Sequence, residues 1–288
     1  MGDESNVQST AMAVAEILKA APVYQDLLQP AAKQLGQSLE TVTKTLNIVL
    51  APIAVMVWGY ETVRASVIAK VADRLKDVPP EKITTPPANI AGPTMEALRY
   101  VGDNDELQQL YANLLAASIN TDTRDAAHPA FVEIIRQLSP DEARMLILIS
   151  RIGAVPKLDL RHQDPAGQGR WVLKHFTFVP LMASVKLPQL GSAYITNLLR
   201  LGLLEEQTGY KLNTPVDLPF PVECQDWYAL LEEMTKQKSM VELPALKENE
   251  TQVNQIGALF VTAFGVQFCN SCISEECFAL IQKPKIGE

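Results

Sequence analysis

The sequence is short of the residues that most enzyme chemistry needs. Among its 288 residues it has only three histidines, His128, His162 and His175, and four cysteines. It contains no H-E-x-x-H, no G-x-S-x-G and no P-loop, which removes the zinc-peptidase, nucleophile-elbow hydrolase and Walker-type nucleotide signatures. Basic runs are absent too. With 25 Lys and Arg against 33 Asp and Glu, the net charge is −8 and the pI about 5.1, so the chain as a whole has no attraction for nucleic acid or an anionic membrane. No apolar stretch reaches the ~20 residues of a membrane-crossing helix, and there is no internal repeat. The opening MGDESNVQST is polar and acidic, unlike a secretory signal. Met1-Gly2 is not followed by Ser or Thr where a myristoylation motif wants it. The expectation is a cytoplasmic protein with reduced thiols.

What is there is helix. The composition, 47% hydrophobic and 20% charged, is that of a globular chain. The length allows one large domain or two small ones. Pro86 to Ile149 carries four helix starts. Gly92-Pro93 puts proline at a first helical position, and the helix stops at Gly102. Asp103 with Glu106 reads as a capping box before Leu107, Leu110, Tyr111, Leu114, Leu115 and Ile119 at helical spacing. His128-Pro129 opens a third helix with Phe131, Ile134, Ile135 and Leu138, and Ser139-Pro140-Asp141-Glu142 a fourth.

Upstream, residues 1–9 read as disordered, and Thr10 to Ala20 and Tyr24 to Leu35 as short helical runs. Thr41 to Leu75 is the longest helical candidate. Its first half, Leu46 to Trp58, is LNIVLAPIAVMVW. Length, Asn47 and Pro52 argue against a membrane span. A buried core helix and a contact surface presenting Ile53, Val55, Val57 and Trp58 are the two other readings. Glu81 to Pro87 reads as a rigid connector.

After Ile152 the texture changes. Asp159 to Gly169 reads as loop, Trp171 to Val179 as strand, and Pro188 to Leu201 as a helix ending at Gly202. LLEEQTGYKL then reads as two short strands around Gly209, the order of a winged helix. Trp227 to Met234, with Asp226 as its cap, reads as a helix, Gln255 to Phe264 as a strand and Gly265 to Ile273 as a last helix. The predicted fold is mainly α: a helical bundle over 10–150, then a smaller winged-helix-like α+β region over 151–288.

Candidate sites are weighed against plain structural roles. Cys269-x-x-Cys272-x4-Cys277, with Cys224 upstream, has the number of ligands for zinc, but the segment also suits packed small residues on a helix. His128 suits a cap. Asp103, Asp105, Glu106, Asp141 and Glu142 lie at helix starts, where capping and the helix dipole explain them without a two-metal site. On the winged-helix reading, Lys186, Asn197, Arg200 and Lys211 are the groove-facing candidates, a sparse set for DNA. No catalytic residue, metal or cofactor is assigned.

The run PPANIAGP, then DNDELQQLYANLLA, then HPAFVEIIRQLSPDEA resembles the abortive-infection alpha family, a bacterial family associated with defence against phage. APIAVMVWGYE, NLLRLGLLEE and FVTAFGVQFCNSC resemble it as well, so the similarity spans about residues 40 to 280. The resemblance implies a process and not a reaction. The expected role is therefore a phage-defence protein that acts through contact with another copy, with a host or phage protein, or with a membrane surface. A nucleic-acid-binding regulator and a hydrolase with scattered site residues are the alternatives.

Overall fold

A computed structural model of the chain describes residues 61–102, 104–212, 227–236 and 243–274. The Leu46 to Trp58 run with Ile53, Val55, Val57 and Trp58, the two short N-terminal helical runs, residues 1–9, Asp103, Asp226, Cys224 and Cys277 lie outside them. The described residues fall into two units. One draws on Met1–Asp103 and Tyr111–Val132, the other on Asn104–Leu110 and Glu133–Glu288.

The described part of the first unit is helical. α1 (Glu61–Leu75) buries Val67, Ile68, Val71, Ala72 and Leu75. α2 (Ala88–Val101) begins earlier than Gly92-Pro93 suggests. The carbonyl of Pro87 accepts from Ile90 and Ala91 at 3.0 and 2.9 Å, so the helix is nucleated one turn upstream and Pro93 lies inside it. It ends at Gly102 with φ 59°, a left-handed position that glycine takes without a Cβ penalty. The later part of α3 (Asp105–Ile119) completes this core with Tyr111, Leu114, Leu115 and Ile119, each 0–1% exposed. A bridge between Ile83 and Asn120, with the Lys82–Asp122 pair at 2.6 Å, ties the connector to the end of α3.

In the second unit α5 (Pro140–Ile152) follows α4 (Ala130–Arg136), whose later residues belong here. Ser139 and Glu142 form the capping box as the spacing requires, with Pro140 at the first position. Everything from Asp141 to Ile149 is buried, so this stretch of α5 is covered around its whole circumference, while Arg151 in the last turn is exposed. β1 (Ala154–Gln163), β2 (Gly169–Phe176), α6 (Val179–Met182), α7 (Gly191–Arg200), β3 (Leu204–Thr208), α8 (Trp227–Thr235), β4 (Thr251–Val261) and α9 (Ala263–Cys272) follow. Among the described residues the four strands form one antiparallel sheet in the order β2-β1-β4-β3.

This sheet overturns the winged-helix expectation. In a winged helix the segment after the helix would fold back on itself as a wing. Here β3 pairs instead with β4, about fifty residues further on, through Leu204↔Val261 to Thr208↔Gly257. The sheet's central pair is β1 with β4, ten uninterrupted rungs from Ala154↔Phe260 to Gln163↔Thr251. Asp159 to Gln163 is therefore strand, and only the turn after it is loop. The region is a curled sheet with helices around it.

The sheet has two unlike faces. Leu158 and Leu160 point one way and, with Phe176, Phe178 and Leu231 of α8, make an apolar cluster. Their neighbours Lys157 and Asp159, by the two-residue period of a strand, point the other way, and both are also buried, at 0% and 2% exposure. Among the described residues no helix is long and apolar enough to cross a membrane.

Candidate functional site

The polar face of the sheet gathers the densest set of chemically capable groups in the described residues. Lys157 Nζ, fully buried, lies 2.5 Å from Asp159 Oδ2 and 2.7 Å from Glu206 Oε2. Lys157 is on β1 and Glu206 on β3, with β4 between them. The residue opposite Lys157 on β4 is Gly257. A Cβ there would come within 2.8 Å of Lys157 Cε and 2.7 Å of the Gln207 carbonyl, so the missing side chain is the channel through which the lysine crosses the strand.

His175 completes the cluster from β2. The β1–β2 register slips between Leu158 and Leu160, and His175 in the bulge has φ 56°, a left-handed value rare for a non-glycine residue. Its N–H is taken by Asp159 Oδ1 at 2.7 Å. Its Nδ1 lies 3.1 Å from Thr196 Oγ1 on α7, and its Nε2 3.2 Å from Glu206 Oε2. β2 and β3 are the outer strands, three strand spacings apart, roughly 14 Å in a flat sheet. Side chains from the two edges meet here over the middle strands, so the sheet curls around this face.

The electrostatics follow from burial and partners. Burial works to raise the Glu206 carboxyl, but the hydrogen bond and charge of Lys157 outweigh it and hold the group below its usual range. Burial lowers the His175 imidazole, against the pull of Glu206 and Asp159.

The other candidates resolve into structural roles. His128 Nδ1 accepts from Ala130 N at 3.1 Å, the cap contact its position suggests. Glu106 meets Arg144 in a buried pair at 2.8 Å; the capping box expected with Asp103 lies outside the described residues. At that helix start Asn104 accepts from Leu107 N at 3.0 Å. Asp141 accepts from the backbone of Lys186 and from Tyr194 Oη, at 3.0 and 3.2 Å. Burial, helped by Asp141, pushes Tyr194 up to about 12. His162 is buried with Nδ1 3.8 Å from Glu250, which Arg170 holds at 2.6 Å.

Of the groove-facing set, Asn197 donates to Gln137 O and Glu142 Oε1, and Arg200 to Asn197 and Gln137. Both are engaged in seating α7 on the start of α5. Lys211 sits over the Tyr228 ring at 5.8 Å, and Lys186 contributes its backbone N–H. Of the four, Asn197 and Arg200 are in contact with each other. Cys269 and Cys272 lie on α9, Cys272 fully buried. Burial pushes Cys269 up to about 12, with Ser150 acting weakly the other way. Among the described residues no group of three or more His, Cys, Asp or Glu could hold a metal.

Lys157, Asp159 and Glu206 escaped the sequence reading because their partners lie on different strands. The one local signal was Lys157 and Asp159 two residues apart, hence on one face of a strand.

No curated protein and no solved structure matches the chain. The family model described as abortive infection alpha matches residues 59–272. That match takes in the described helices of the first unit, the four described strands and the whole polar cluster, and so most of the chain; the protein belongs to the abortive infection alpha family.

Proposed function

We propose that the chain serves abortive infection in the cytoplasm by binding a protein partner, another copy or a membrane surface, and that it does so without catalysing a reaction. The observation that carries this reading is the closure of the polar cluster on itself. Lys157 is shared by two carboxylates, Asp159 also holds the His175 N–H, and the lysine is walled off from solvent. A general acid or base has to reach a substrate proton and titrate near the working pH. Tyr194 and Cys269, both pushed up to about 12, stand far from that range.

The contact surface proposed is the apolar run Leu46 to Trp58, read from its sequence, with Ile53, Val55, Val57 and Trp58 as the contact residues. Carboxylates placed in such a contact are costly to desolvate. Cells carrying a Val55→Asp, Val57→Asp variant, shown to be folded and soluble, are therefore expected to lose protection in a plaque assay while the parent protects. Equal protection by the folded variant would refute the contact.

A further inference from the structure

The polar face of the sheet has two unlike ends. At one, Lys157, Asp159 and Glu206 neutralise one another in the interior. At the other, about 13 Å further along β1, Arg161 points to the same face, and there the face is open. Trp171 pairs with Arg161 from β2 and Val253 from β4, so the three make one row across the sheet. Trp171 is 44% exposed and Val253 37%. Arg161 Cζ lies 5.6 Å and Lys174 Nζ 5.8 Å from the centre of the Trp171 ring, within cation–π reach.

The other bases of this hairpin are taken, Lys157 by its two carboxylates and Arg170 by Glu250 at 2.6 Å. Arg161 and Lys174 are not. Arg161 reaches the carbonyls of Gly167 and Gly169 with Nη2 at 3.4 and 3.5 Å, long contacts, and its Nε has no partner. Lys174 is exposed. Among the described residues neither forms an ion pair. Asp164, the nearest acid along the chain, accepts from Gln168 N at 2.9 Å within its own turn. An exposed indole with two unpaired cations over it is a local exception on a chain of net charge −8. At 0.1 M salt, charges more than about 10 Å away are largely screened from it.

We propose that this open end binds single-stranded nucleic acid, with an unpaired base stacked at Trp171 and the adjoining phosphates on Arg161 and Lys174. The chemistry is that of a stacking platform on a sheet, in which an aromatic ring takes the base and cations beside it take the backbone. A duplex hides its base faces and cannot use the ring. A bilayer is flat, whereas the sheet curls around this face, and the hairpin tip beyond Trp171, residues 164–168, reads DPAGQ with no large apolar side chain to insert. The site shares no residue with the Leu46 to Trp58 contact, so the two readings stand or fall separately.

The test uses the full chain and a fluorescent oligodeoxythymidylate of about ten nucleotides, its anisotropy followed from about 0.1 M salt upward. Saturable binding with a Kd of about 10⁻⁴ M or tighter is expected. Two phosphate contacts to a single strand predict a slope of log K against log salt of about −1.4, falling to about −0.7 in Lys174→Gln. Trp171→Ala should weaken binding about 5- to 150-fold with the slope unchanged, and Trp171→Phe, which keeps an aromatic face, should bind more tightly than the alanine variant. Duplex DNA, inorganic polyphosphate of matched charge and phosphatidylserine vesicles should compete poorly. No saturable binding would overturn the proposal. So would a Trp171→Ala protein that binds like the parent, or competition by polyphosphate or vesicles as effective as by the unlabelled strand, which would leave a charge patch or a lipid surface in its place. If Trp171→Ala does not fold, the salt slopes of the parent and Lys174→Gln and the competition series still decide.

Discussion

Replacing Lys157 with methionine is expected to lower the free energy of unfolding by about 3–5 kcal/mol, the range for removing one partner of a buried ion pair. Methionine is close in size, so the loss is electrostatic rather than a cavity. The Glu206 side chain is 32% exposed and can turn to solvent when the ammonium is gone. Asp159, 2% exposed, cannot, and it is left as an uncompensated charge in the interior. The second substitution Asp159→Asn should therefore recover part of the loss, and the non-additivity measures the pair. Denaturant unfolding of the single and double variants checks both statements. A Lys157→Met protein as stable as the parent would show that the cluster does not hold the sheet.

The second large effect is in the first unit. Leu114 lies mid-way along α3 and is 0% exposed. Leu114→Ala removes its side chain from a packed environment that relaxes only in part, and should cost about 2–5 kcal/mol. An unchanged unfolding midpoint for this variant would show that the apolar face of α3 is misassigned.

These two positions mark what was legible in the sequence and what was not. Leu114 announces itself because a helix writes its buried face into a local 3.6-residue period. The capping box at Ser139 is legible for the same reason, since its donor and acceptor are three residues apart. Lys157 gives no such signal. β1 is a central strand buried on both faces, and one of those faces is charged. The charges of Lys157, Asp159 and Arg161 therefore look like a solvated loop until β3 and β2 bring Glu206 and His175 over them. The wing failed on the same ground. LLEEQTGYKL has the composition of a hairpin, but β3 finds its partner in β4, and one sequence cannot rank a distant strand against a near one. His175 reads as an ordinary alternating strand residue because the bulge that turns it inward depends on Asp159 accepting its N–H. Gly257 is legible only afterwards, as the opening that lets Lys157 cross β4.

The claim most exposed to test is that this polar cluster is architecture and not an active site. His175→Asn keeps the left-handed backbone available and removes the imidazole, the one side-chain type in the cluster whose unperturbed titration lies near neutral pH. The measurement is the efficiency of plating of a phage against which the parent protects, on cells expressing parent or variant at equal level, at neutral pH, with the variant shown to be folded. Protection within about threefold of the parent is the result predicted, since removing a working acid–base group typically costs 10²–10⁴-fold in rate. A folded variant that loses protection by orders of magnitude would contradict the account and mark His175 and Glu206 as catalytic.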